Sequence, residues 1–122
     1  MLILADTSIW VDHIRKEDPW FGELLGDGSV AIHPFIIGEL ALGHVPDFDN
    51  LMSDLRDLPQ APVASSEEVL QLIQHGNLSG SGIGYVDAHL LASVAKMSET
   101  RILTRDRRLH DAAKRLSIAV ER

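Results

Sequence analysis

The sequence predicts an α/β fold with a central parallel sheet of short strands and helices on both faces. Three observations lead there. A short continuous apolar run at 2–5 and short strand-like segments at 30–32 and 101–104 suit a buried parallel sheet. Between them lie longer stretches in which apolar residues recur at helical spacing. Glycine, proline and aspartate punctuate the junctions between the two kinds of segment.

The elements follow in order. Leu2-Ile3-Leu4-Ala5 reads as a buried strand, and Asp6-Thr7-Ser8 supplies helix-start chemistry behind it. Ile9, Trp10, His13 and Ile14 mark a helix that fades at Arg15-Lys16 and is broken by Pro19. Phe21, Leu24 and Leu25 add one or two helical turns, and Gly26-Asp27-Gly28 turns the chain into a second strand, Val30-Ala31-Ile32. Residues 35–43 form a largely buried helix. Pro46-Asp47 opens another, with Phe48, Leu51, Met52, Leu55 and Leu58 on one face and Pro59 and Pro62 closing it. Ser65 and Glu68 have capping-box spacing ahead of Val69, Leu70, Leu72 and Ile73. Residues 76–84 hold four of the nine glycines and read as a flexible loop. A helix from Tyr85 to Met97, a strand Arg101–Thr104, a helix Asp106–Leu116 and a terminal strand Ile118–Val120 complete the chain.

The 122 residues, 45% apolar and 24% charged, are expected to form one domain spanning 1–122 with a core of its own. There is no cysteine, which excludes disulfides, zinc–thiolate sites, iron–sulfur clusters and thiol nucleophiles. The first apolar run ends at Asp6, too soon for a leader or a membrane span, so the expectation is a soluble cytoplasmic protein. The net charge of −7 argues against a generic nucleic-acid binder. Its distribution is uneven: residues 1–61 carry 3 basic and 11 acidic side chains, residues 62–122 carry 8 and 7. The tail bases, among them Arg105, Arg107 and Arg108, read either as a solvated helix face or as a local anion-binding edge.

Four acids stand out by context. Asp6 and Asp106 follow strands, where ligands of open α/β sheets gather. Glu39 lies inside an apolar helix, and Asp87 in the first turn of the Tyr85 helix. Each has a plain structural alternative: N-caps for Asp6 and Asp106, a helix-dipole partner for Asp87, a polar stripe for Glu39. Together they suggest converging carboxylates, which repel unless a cation compensates. Mg²⁺ or Mn²⁺ is the natural cation for an all-oxygen set, and phosphodiester hydrolysis the chemistry it usually serves. Thr7, Ser8 and Thr104 are suited to orienting those carboxylates by hydrogen bonds, or to capping and strand-end packing. The six histidines are scattered without zinc spacing and are expected mostly on surfaces or helix faces.

These residues resemble a known family. Asp6-Thr7-Ser8, Gly38-Glu39-Leu40, Tyr85-Val86-Asp87-Ala88-His89-Leu90-Leu91-Ala92 and Leu103-Thr104-Arg105-Asp106, in that order, are similar to the PIN-domain ribonucleases, and in length to the VapC-type toxins of toxin–antitoxin pairs. The resemblance covers essentially the whole chain. It implies a PIN-like domain in which Asp6, Glu39, Asp87 and Asp106 bind Mg²⁺ or Mn²⁺, Thr104 supports Asp106, and Thr7 or Ser8 supports Asp6. It further implies endonucleolytic cleavage of RNA, inhibition of translation, and a cognate DNA-binding antitoxin as partner. Arg107-Arg108-Leu109 departs from the aromatic residue that many relatives place after the last acid. The competing reading is a receiver-like phospho-acceptor domain with an acidic Mg²⁺ pocket. It lacks an aspartate after a mid-chain strand and a lysine after a late one. A homodimer is also expected, with Trp10, Phe21 and Phe48 available to a partner surface and Arg105, Arg107 and Arg108 placed to meet RNA phosphate.

Overall fold

Strand β1 (Leu2–Ala5) lies at the centre of a three-stranded parallel sheet, flanked by β2 (Val30–Ala31) on one side and β3 (Thr100–Leu103) on the other. The computed structural model describes all residues, 1–122. Ile3 and Leu4 of β1 face Val30 and Ala31, while Leu2 to Ala5 run in register with Thr100 to Leu103. Successive strand residues point to opposite faces, and Ile3, Leu4 and Ala5 are all buried. Both faces of the sheet are therefore covered, as a parallel sheet requires.

Seven helices cover it, and local chemistry starts most of them. Asp6 caps α1 (Thr7–Arg15) by accepting the Ile9 N–H. Asp18 caps α2 (Pro19–Gly26); Pro19, read from sequence as a break, also begins a helix, its fixed φ and missing N–H suiting the first turn. His33 caps α3 (Pro34–Leu42) through Nδ1. After α4 (Phe48–Arg56), the Ser65–Glu68 capping box opens α5 (Ser66–His75) with both reciprocal hydrogen bonds in place. The glycine-rich loop leads to α6 (Tyr85–Ala95), and Asp106 caps α7 (Arg107–Arg115). No helix is long and apolar enough to cross a membrane.

The main core joins Leu4, Phe21, Ile32, Ile36, Leu55, Leu90, Leu91, Ile102 and Leu109. A smaller group, Ala64, Val69, Ala88 and Ala92, lets α5 and α6 approach closely across short side chains. Two expectations need correction. The terminal strand over 118–120 is a single bridge, Ala119 opposite Ile102. Ser117 turns the chain at a positive φ of 62°, and Arg122 then leaves for α2, pairing with Asp18 and covering the Trp20 ring. Four of the six histidines are half-buried or exposed, while His33 and His89 are buried. Trp10 and Phe21 pack edge to face in the core, so of the three aromatics offered to a partner only Phe48 is exposed.

The burial makes a direct stability contrast. Leu4→Ala, at a fully buried central-strand position, is expected to cost about 3 kcal/mol. Leu42→Ala, 91% exposed at the end of α3, is expected to cost under about 0.5 kcal/mol. Urea unfolding of the two variants measures the difference; equal losses would contradict this assignment of the core.

Candidate active site

Because β1 and β3 are parallel, their carboxyl ends meet at one edge, where the Asp6 N–H donates to the Leu103 carbonyl. Asp6 is nearly buried there, and both its oxygens are held. Oδ1 accepts the Ser8 hydroxyl at 2.5 Å and the Ile9 N–H at 3.3 Å, and Oδ2 accepts the Thr104 hydroxyl at 2.5 Å. Thr104 Oγ1 in turn accepts the Asp106 N–H at 3.0 Å. One threonine, 98 positions from Asp6, thus ties the first acid to the last. Ser8 Oγ also accepts the Arg105 N–H at 3.2 Å, a second tie between the two strand ends.

Thr7 does something other than support Asp6: its hydroxyl donates to Glu39 Oε1 at 2.7 Å, linking α1 to α3. Asp106 Oδ1 accepts the Arg108 and Leu109 N–H groups, leaving Oδ2 without a protein partner. Asp6 and Asp106 are therefore helix caps, and the capping places both carboxylates at the sheet edge. Asp87 is half-buried in the first turn of α6.

The electrostatics show how near these groups lie. Burial first, and then the charges of Asp6, Asp106 and Glu39 in that order, together push the Asp87 carboxyl up to about 6. Burial also raises Asp6, opposed by its hydrogen bonds from Ser8, Thr104 and Ile9. All three other acids act on Asp87, yet no three acidic or imidazole side chains draw close enough to enclose an ion.

Of the three arginines, Arg105 pairs with Asp12, Arg107 is exposed, and Arg108 lies against Gly82 of the glycine-rich loop. The sequence reading missed a buried polar link beneath the site. His33 Nδ1 accepts the Phe35 N–H, so the ring proton sits on Nε2 and is donated to Ser93 Oγ on α6, 3.0 Å away. Burial, and then the neighbouring His89, push His33 down to about 4 and keep it neutral. A histidine between a strand and Pro34 is a cap position, which was the available signal; nothing local points to Ser93.

With this geometry the relatives take on meaning. The crystal structure of PAE2754 from Pyrobaculum aerophilum matches over 93% of this chain and 81% of that one, with a TM-score of 0.58 at 22% identity. That likeness shows the fold, a PIN-like α/β sheet with its helices. No family model matches the chain. Ribonuclease VapC32 of Mycobacterium tuberculosis, in each of two strains, is 44% identical over 119 residues, 98% of this chain and 96% of the relative. The chain belongs to the VapC ribonuclease family of toxin–antitoxin systems. That membership displaces the phospho-acceptor reading.

The Asp87 shift has a signed consequence. Unfolded, this carboxyl titrates near about 3.9; folded, it titrates at about 6. The folded chain holds the proton more tightly, so the associated stability is complete below about pH 4 and is lost as pH rises through about 6. Asp87→Asn is therefore expected to stabilise the metal-free protein by about 1 kcal/mol at about pH 7.5 and not at about pH 4. Thermal melts in EDTA at the two pH values check it, and a destabilised variant at the higher pH would refute the repulsion.

Proposed function

We propose that this chain is a metal-dependent RNA endonuclease, the toxin of a toxin–antitoxin pair, which inhibits translation by cutting RNA. One observation carries the reading: Asp6 and Asp106 are tied together through Thr104 at the carboxyl edge of the sheet, and with Glu39 they lie near enough to act on the half-buried Asp87. Membership of a ribonuclease family supports it.

The donor set fits Mg²⁺ or Mn²⁺. It is all carboxylate oxygen, and its repulsion is of the kind a hard divalent cation relieves. Asp6, Glu39, Asp87 and Asp106 would hold the ion, which when bound supplies an activated water and neutralises charge on the phosphodiester. The surrounding hydroxyls keep the acids oriented. Ser8 and Thr104 fix the two oxygens of Asp6, and Thr7 fixes Glu39. Backbone donors hold Asp106 Oδ1, which leaves Oδ2 free of protein hydrogen bonds. Asp87, the acid with the raised affinity for protons, is the group suited to accept one from the attacking water. The partners under this reading are an RNA substrate and a cognate DNA-binding antitoxin.

Cleavage of RNA is expected to stop in EDTA, to return with Mg²⁺ or Mn²⁺, and not to return with Ca²⁺, whose looser geometry suits the site poorly. Asp6→Asn is expected to abolish cleavage in the folded protein. Gel analysis of RNA with each ion reads the outcome, and cleavage persisting in chelator would overturn the metal mechanism. Thr104→Val leaves all four acids in place. It is expected to weaken Mn²⁺ binding roughly 10- to 100-fold by calorimetry, because Asp6 loses its hydroxyl donor.

A further inference from the structure

We propose that Tyr85 is a base-stacking residue, which takes an unpaired base of the RNA beside the acidic cluster while Arg108 takes an adjoining phosphate. The proposal rests on the ribonuclease reading above and specifies its substrate as a single-stranded segment.

Tyr85 is 52% exposed, unusual for so large a ring, yet it is held from below. Its ring meets the His89 ring edge to face at 4.8 Å and 87°. His89 meets Phe35 at 4.9 Å, and Phe35 meets His33 at 4.9 Å, each at 66°. The bottom of this ladder is anchored, since His33 is fully buried and bonded to Ser93. The ladder thus runs from the core, across α3 and α6, to an exposed ring. A ring already fixed loses little conformational entropy when a ligand stacks on it. Unpaired RNA bases are taken by this kind of surface, because every base has a π-face while paired bases are hidden in the helix.

Position supplies the second argument. Tyr85 precedes by two residues Asp87, the acid on which the other three act. It follows by three residues Gly82, whose backbone is overlain by Arg108. A Cβ built on Gly82 would stand 2.9 Å from Arg108 Cδ and 3.1 Å from Nη1. Gly82 also adopts a positive φ of 86°, so two constraints reserve this position for glycine and leave room for the arginine. Arg105 is committed to Asp12, whereas Arg108 enters no ion pair and keeps its charge for an incoming anion. Gly82 and Tyr85 line one surface cavity, so the exposed ring and the unpaired guanidinium of Arg108 both border the glycine-rich loop that leads into the helix bearing Asp87.

Anisotropy of a short fluorescein-labelled single-stranded RNA, titrated in EDTA against the wild type and three variants, tests this. Tyr85→Phe is expected to bind within about twofold of wild type, and Tyr85→Leu roughly tenfold more weakly with the same salt slope. Arg108→Gln is expected to weaken binding and to reduce the salt slope by about one phosphate contact. With the same RNA annealed to its complement, Tyr85→Leu and wild type are expected to bind alike. Tyr85→Leu binding the single strand as tightly as wild type would overturn the proposal and leave the ring as a contact for a protein partner. Equal losses on single strand and duplex would overturn it too. Cleavage with Mn²⁺ separates the two readings: if wild type cuts RNA while Tyr85→Leu binds normally, the stacking role alone falls. If wild type neither binds nor cuts, the ribonuclease reading falls with it.

Discussion

The carboxylate of Asp6, held between the hydroxyls of Ser8 and Thr104, is the interaction on which the rest of the molecule turns. It stands where β1 gives way to α1, so it caps a helix; its second oxygen accepts from the residue that ends β3, so it also joins the two strand ends. Thr104 passes the connection on to Asp106 and the start of α7. Capping, strand alignment and placement of two acids are therefore one arrangement. A charged group this deep is tolerable because three donors meet it.

That arrangement carries a cost. Burying Asp87 near Asp6, Asp106 and Glu39 both strips it of water and sets like charges beside it, and these two causes, burial the larger, push its carboxyl up to about 6. No lysine or arginine enters the cluster to neutralise it; Arg105 turns to Asp12 and Arg108 to the glycine loop. A purely structural network would draw such a base inward. Under the proposed reading, an external divalent cation would supply that neutralising charge.

Beneath the acids, the helices that bring Glu39 and Asp87 are joined by neutral chemistry. His33 follows β2 by two residues, caps α3 and reaches Ser93 on α6, so a single imidazole joins the start of one helix to the body of another. Its neutrality follows from burial, and a neutral ring is what this geometry needs, one nitrogen accepting and the other donating. The aromatic contacts of Phe35, His89 and Tyr85 extend the same junction to the surface. The approach of α3 to α6 thus rests on the neutral His33 and on aromatic contacts rather than on ion pairs.

Much of this was legible in the residue order because it depends on neighbours a few positions apart. The apolar run 2–5, the capping box of Ser65 and Glu68, and the helix-start chemistry at Asp6 and Asp106 act over at most one helical turn, and each forms where local rules put it. The four acids could be singled out for the same reason, since a carboxylate after a buried strand or within an apolar helix is anomalous locally. Partners far along the chain were not legible. Thr7 serves Glu39 rather than Asp6, and Thr104 serves Asp6 as well as Asp106, because strand pairing and helix packing bring together residues 32 and 98 positions apart. The same long-range packing buries His33, His89, Trp10 and Phe21, and draws Arg122 to Asp18 so that 118–120 makes one bridge instead of a strand. Residue type and spacing specify which groups are able to cap, repel or stack; which of them meet depends on how the sheet and helices close around a shared core.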